Sequence, residues 1–221
     1  MEIKNTEDQF AEFEKYDVLS DQDIFTKIWA EPRRIFTFID QAKYEKYLYV
    51  LMFLAGVSSA FDRATSKNMG ENNSLFMVIF LCVVMGGLLG WISYYIYAAL
   101  LSWTGKWLDG SGDTSSIFRM IAYATIPSVV SLIFLIPQVA VYGGDLFKDV
   151  DYTSEGILVN VVFWVSAFCE VGLSIVTLIY TVIGLSVVQK FSIGKAIANL
   201  LLPIAVIALP ILLIISIFSV F

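Results

Sequence analysis

The sequence predicts an all-α, polytopic transmembrane helical bundle of five spans, preceded by short amphipathic cytoplasmic helices, and three observations carry that prediction. Hydrophobic residues make up 58% of the 221, charged residues only 15%, and the mean hydropathy is +0.76, whereas a soluble domain carries about a quarter charged residues. Apolar runs near the length that crosses a bilayer as a helix, about 20 residues, recur from residue 44 onward. The charges gather at one end, where residues 1–46 hold 11 of the 20 acidic and 7 of the 14 basic residues.

Residues 1–43 read as an acidic cytoplasmic segment with interfacial helices. No basic stretch followed at once by an apolar one opens the chain, so a cleaved signal peptide is not expected. Ser20 with Asp23 three residues on forms a capping box for a short helix bearing Ile24, Phe25, Ile28 and Trp29. Pro32 suits the first turn of a second helix, with Ile35, Phe36, Ile39 and Ala42 on one side and Arg33 and Arg34 toward water or phosphate. Trp29, Pro32, Arg33 and Arg34 are thus interfacial candidates.

Residues 44–221 divide into spans at about 44–61, 74–103, 117–142, 157–188 and 193–221. Asp62 and Arg63 close the first. The second spans roughly 45 Å as a straight helix, against roughly 30 Å of hydrocarbon, so it must tilt, kink or project. It ends in Trp103 and Trp107, an aromatic anchor at the interface. Arg119, opening the third, is placed to snorkel toward phosphates. With the N-terminus inside, 11 of the 14 lysines and arginines face the cytoplasm, which puts the C-terminus outside.

The absence of histidine weakens zinc, haem and Ser-His chemistry. No cofactor and no metal is expected. Cys82 and Cys169 sit in apolar runs as small hydrophobes rather than as a disulfide. The outer loop 143–156 carries Asp145, Asp149, Asp151 and Glu155 without the glycine-centred pattern of a calcium loop. A net charge of −6 speaks against nucleic acid. Membrane lipids are the expected partners, with a homo-oligomer or another membrane protein left open.

Inside the spans, Gly86, Gly87 and Gly90 form a small-residue face that admits close approach of another helix. Pro127, Pro137, Pro203 and Pro210 each remove a backbone donor and predict kinks in the third and fifth spans. Ser166, Glu170, Ser174, Thr177 and Thr181 recur every three or four residues as an intramembrane polar stripe. Glu170 lies near mid-span, where a lipid-facing ionised carboxylate is costly, so it is expected to face inward, neutral or closely paired. The loop 105–116, with Asp109, Gly110, Gly112 and Asp113, reads as a hydrated turn tolerant of larger side chains.

Four pieces in order resemble the Yip1 family of small polytopic membrane proteins, in its compact prokaryotic form. They are Trp29-Ala-Glu-Pro32-Arg33-Arg34-Ile-Phe36; Gly86-Gly87 with Gly90; Arg119, Tyr123, Ala124, Thr125 and Pro127; and Tyr180, Gly184, Leu185, Gln189, Ser192, Lys195 and Ala196. The resemblance implies five spans and a cytoplasmic N-terminus. Eukaryotic relatives bind small prenylated GTPases, but the short N-terminus lacks a long recognition domain, so that partnership is not carried over. Two readings stand: a membrane scaffold or organiser with an internal polar stripe, or a small transporter or lipid-binding protein with a cavity near Glu170. An intramembrane enzyme is disfavoured because no clear Ser-Lys pair accompanies the carboxylates.

Overall fold

The computed structural model describes residues 19–150 and 156–219, so the acidic residues 1–18, Asp151 and Glu155 of the 143–156 loop, and Phe221 lie outside the described residues. Every regular element among the described residues is helical. Helix α1 (Asp21–Lys27) begins at Ser20, whose Oγ accepts the Asp23 N–H at 3.2 Å while Asp23 Oδ2 accepts the Ser20 N–H at 3.0 Å. This is the reciprocal capping expected from the spacing. Helix α2 (Pro32–Gln41) carries Pro32 in its first turn, where the missing donor costs nothing.

The apolar sides of α1 and α2 do not lie in an interface with lipid. Ile24, Ile28, Ile35 and Phe36 are 0% exposed and join Met120, Tyr123, Tyr180 and Leu185 in one core. The two helices therefore close one end of the bundle by burying their apolar stripes against it. Of the interfacial candidates here, Trp29 stays 44% exposed with its ring edge-on to Tyr180. Arg34 pairs with Glu31 at 2.7 Å, and Arg33 Nη2 reaches Ser186 Oγ at 3.3 Å.

Helix α3 (Leu48–Ser66) packs against several neighbouring elements. It runs past Asp62 and Arg63, where the sequence suggested its end, because charges in a last helical turn need not face the core. Helices α4 (Leu75–Leu81) and α5 (Gly87–Lys106) are joined by a π turn at Cys82–Gly86 into one rod. Such a turn inserts an extra residue into the helical register and re-aims the side chains that follow.

The expected third span is two helices, α6 (Thr114–Ala124) and α7 (Ile126–Tyr142). They meet at Thr125, whose Oγ1 donates to the Ala122 carbonyl at 2.9 Å. Pro127 consequently opens a helix rather than kinking one. Pro137 lies inside α7, and Pro203 and Pro210 lie inside the last helix, α9 (Ile193–Ser219), which follows α8 (Ile157–Val188).

Among the described residues, four stretches are long and apolar enough to cross a membrane: Leu75–Lys106, Thr114–Phe147, Ile157–Val188 and Ile193–Pro210. Their outward faces expose large apolar residues such as Phe76, Ile136, Phe168 and Ile204. Water disfavours such surface and hydrocarbon does not. The architecture is an all-α polytopic membrane bundle with short helices before its long ones.

Candidate functional site

Three helices enclose a cavity of about 280 Å³ that contains the intramembrane carboxylate. Ser58, Asp62 and Thr65 reach it from α3, Ser131 and Gln138 from α7, and Glu170 from α8. Spacings of four and three on α3, and seven on α7, put each set on one helix face. Gln138 Nε2 donates to Glu170 Oε1 at 2.8 Å, and Ser58 Oγ donates to the Ser128 carbonyl at 3.1 Å. The cavity can therefore offer two carboxylates, an amide and hydroxyls to a small polar or cationic guest. Among the described residues no group of three or more Cys, Asp or Glu is gathered tightly enough for a metal ion.

The polar stripe of α8 divides along its length. Ser166 is 2% exposed and Glu170 half-buried at the cavity, whereas Ser174 lies on the exposed side. Thr177 and Thr181 donate to the Leu173 and Thr177 carbonyls of their own helix at 2.9 and 2.8 Å, a bond that lets a hydroxyl sit in apolar surroundings without an outside partner. The partner of Glu170 is instead Gln138, and Asp62 lines the same cavity. In the sequence Asp62 reads as a helix stop, and Gln138 sits beside Pro137 with no serine, threonine or charged residue three or four positions away to mark it. A stripe search on every span, rather than on α8 alone, would have found Ser58, Asp62 and Thr65.

The glycine face of the π turn and α5 meets α3 at Gly56. A Cβ added at Gly56 would stand 3.0 Å from the Gly90 Cα and closer still to the Gly86 carbonyl oxygen, while one on Gly87 would enter the Phe53 ring. The backbones thus touch across the pair. One glycine on a helix gives no spacing signal, so Gly56 is not legible from the sequence alone.

At the end capped by α1 and α2, buried polar groups act as joints. Gln189, 1% exposed, donates to the Leu101 carbonyl at 3.2 Å and accepts the Gly112 N–H at 2.9 Å. Asn199, fully buried, donates to the same carbonyl at 3.2 Å and accepts from Thr104 Oγ1 at 2.8 Å. The loop after α5 is thus tied into protein rather than freely hydrated. Gly110 is not tolerant of size either, since a Cβ there would press on Gln189 and lie 2.6 Å from the Phe191 ring. Trp103 and Trp107, 48% and 53% exposed, stand edge to face at 4.8 Å on the outside of this end.

Arg119 departs from its expected interfacial place. It is 4% exposed, and its Nη2 donates to Glu45 Oε1 at 2.9 Å. The reason is tertiary: α6 is surrounded by other helices, so the arginine in its middle is covered by protein and pairs with the Glu45 carboxylate. Nearby, Asp21 accepts from Lys46, from the Tyr44 hydroxyl at 2.6 Å and from the Tyr47 hydroxyl at 3.0 Å. The Lys46 ammonium, then Tyr44, hold the Asp21 carboxyl down at about 2. Burial, with Asp21 beside it, pushes the Tyr44 hydroxyl up. Burial also raises the Asp40 carboxyl, while the Ser116 N–H lowers that of Asp113.

Arg34, Tyr123, Tyr180, Gln189 and Lys195 lie in the stretches that carry the family resemblance. The family model for the Yip1 domain matches residues 27–215. The chain belongs to the Yip1-domain family. No curated protein and no solved structure gives a significant match. This chain is an integral membrane protein of that family carrying buried polar residues bonded between its helices.

Proposed function

We propose that this Yip1-domain chain is a membrane scaffold or organiser of the compact prokaryotic type, in the cytoplasmic membrane of a bacterial cell. In this reading it has five spans, with α3 as the first, a cytoplasmic N-terminus and an outward C-terminus. The carrying observation is that polar groups such as Gln189, Asn199 and Arg119 bond to neighbouring elements instead of converging on a guest. Bonds of that kind fix one arrangement of helices, which a platform for lipids, a second copy or another membrane protein requires. At 19 residues α3 is about 28 Å long, close to the hydrocarbon thickness.

The cavity that brings Asp62 and Glu170 together favours a second reading, a small carrier of protons or cations. Proteoliposomes with an internal pH dye separate the two. The scaffold reading expects no proton or cation flux above protein-free vesicles. A flux that Glu170→Gln abolishes would replace it with the carrier. The span count has its own test, with Cys82 and Cys169 first replaced: Lys43→Cys and Asn72→Cys should label from opposite sides of the membrane. Labelling from one side would remove α3 from the spans.

A further inference from the structure

A second and larger cavity, about 500 Å³, lies between α3 and the α4–α5 rod, away from Glu170. Its volume is in the range of sites that hold drug-sized ligands. Gly56, Gly86 and Gly90 form its floor, where two backbones meet and no side chain fills the space. Leu81, Met85 and Leu89 form an apolar wall, and the π turn supplies part of it. Arg63, in the last turn of α3, contributes the cavity's one cationic side chain. Among the described residues, no hydrogen bond or ion pair engages the Arg63 guanidinium. Its neighbour Asp62 lines the other cavity, so the two charges serve different faces of α3. Lys67, four residues on, adds a second positive charge on the Arg63 side of the helix end.

We propose that this groove binds one anionic glycerophospholipid, with an acyl chain along the glycine floor and the phosphate on Arg63. The lipid belongs to the leaflet nearer the connection between α3 and α4, because Arg63 sits at that end of α3. A guanidinium suits this task because its fork of donors matches phosphate oxygens, and because a charge near a span's end meets headgroups. The apolar wall accounts for the chain, the arginine for the anion. Neither depends on whether the protein is a scaffold or a carrier.

Native mass spectrometry of the delipidated full chain in neutral detergent tests the proposal. The probes are dioleoyl phosphatidylglycerol, dioleoylglycerol without a phosphate, and glycerol 3-phosphate without chains. One phosphatidylglycerol should remain bound under activation that strips dioleoylglycerol, and glycerol 3-phosphate alone should not bind. Arg63→Gln should weaken retention about tenfold, the loss of one charge-assisted contact, while Arg63→Lys should keep part of it. Ser93→Trp, which fills the groove from an exposed position one turn beyond Gly90, should remove the retained lipid with helical content by circular dichroism unchanged. Equal retention by the parent, Arg63→Gln and Ser93→Trp would overturn the site as mere annular lipid. Binding of glycerol 3-phosphate as strong as that of the whole lipid would overturn the role of the groove.

Discussion

The end of the bundle closed by α1 and α2 and the region around Gly56 and Glu170 are built on different principles. At the first, Gln189, Asn199, Arg119 and Asp21 each bond across elements distant in sequence. At the second, α3 and α5 meet backbone to backbone, and two cavities flank the contact. Bonded joints demand particular partners, since a buried group left alone is costly. Shape contacts demand only that nothing larger intrude, and they leave room on either side. The bonded end is thus suited to holding the fold, and the glycine region to receiving something.

The comparison breaks most sharply at the glycine contact. Gly56→Leu forces a side chain onto the Gly86 and Gly90 backbones and should cost more than about 3 kcal/mol, beyond the usual range for overpacking. Gly172, in the same membrane-spanning environment, has nothing within 4 Å of an added Cβ, so Gly172→Leu should stay within about 0.5 kcal/mol of the parent. Thermal melts in detergent decide between them, and matching melting temperatures would refute the contact.

At the bonded end, Gln189→Leu leaves the Gly112 N–H without its partner and should cost about 1 to 3 kcal/mol. Glu45→Ala strands the Arg119 guanidinium. Because Glu45 is itself 56% exposed, the loss should be about 1 to 2 kcal/mol rather than the full value of a buried pair. Denaturant titration in mixed micelles measures both, and a neutral outcome for Gln189→Leu would mean the joint is ornamental.

The cavity carboxylate sharpens the contrast. Glu170→Gln keeps an acceptor for Gln138 and should change stability by less than about 0.5 kcal/mol, whereas Glu170→Leu removes it and should cost about 1 kcal/mol. The reverse order in a melting series would show that charge, not hydrogen bonding, matters there.

The smallest effect is local and depends on pH. Asp21 has a docked value of about 2 against an ordinary 3.8. Between these values the undocked form binds more protons, so the contribution of Asp21 to docking is complete above 3.8 and is lost as pH falls toward 2. Hydrogen exchange in α1 should accelerate across that window while exchange in α8 does not. Asp21→Asn should remove the pH dependence.

Much of the bundle was legible because its signals are local. Apolar run length gave the long helices, the Ser20 and Asp23 spacing gave the first cap, and Pro32 gave a helix start. Local signals also misled. Pro127 reads as a kink from the chain alone, yet it opens α7 because the chain has already turned at Thr125. Gly110 reads as a loose turn, yet Gln189, 79 residues away, packs over it.

The sequence by itself determined that this is a helical membrane protein of the Yip1-domain family, with an acidic N-terminal region and no histidine chemistry. The helical membrane class follows from composition and periodicity, the family from its motifs in order and from the family model that matches residues 27–215. Only the tertiary structure decided that Arg119 pairs with Glu45, that Glu170 shares a cavity with Asp62 and Gln138, and that Gly56 answers Gly86 and Gly90. The physical reason is that helical periodicity fixes which residues share a face, while the face opposite is chosen by how whole helices pack. A buried polar group advertises its need for a partner in the sequence, but not the partner's address.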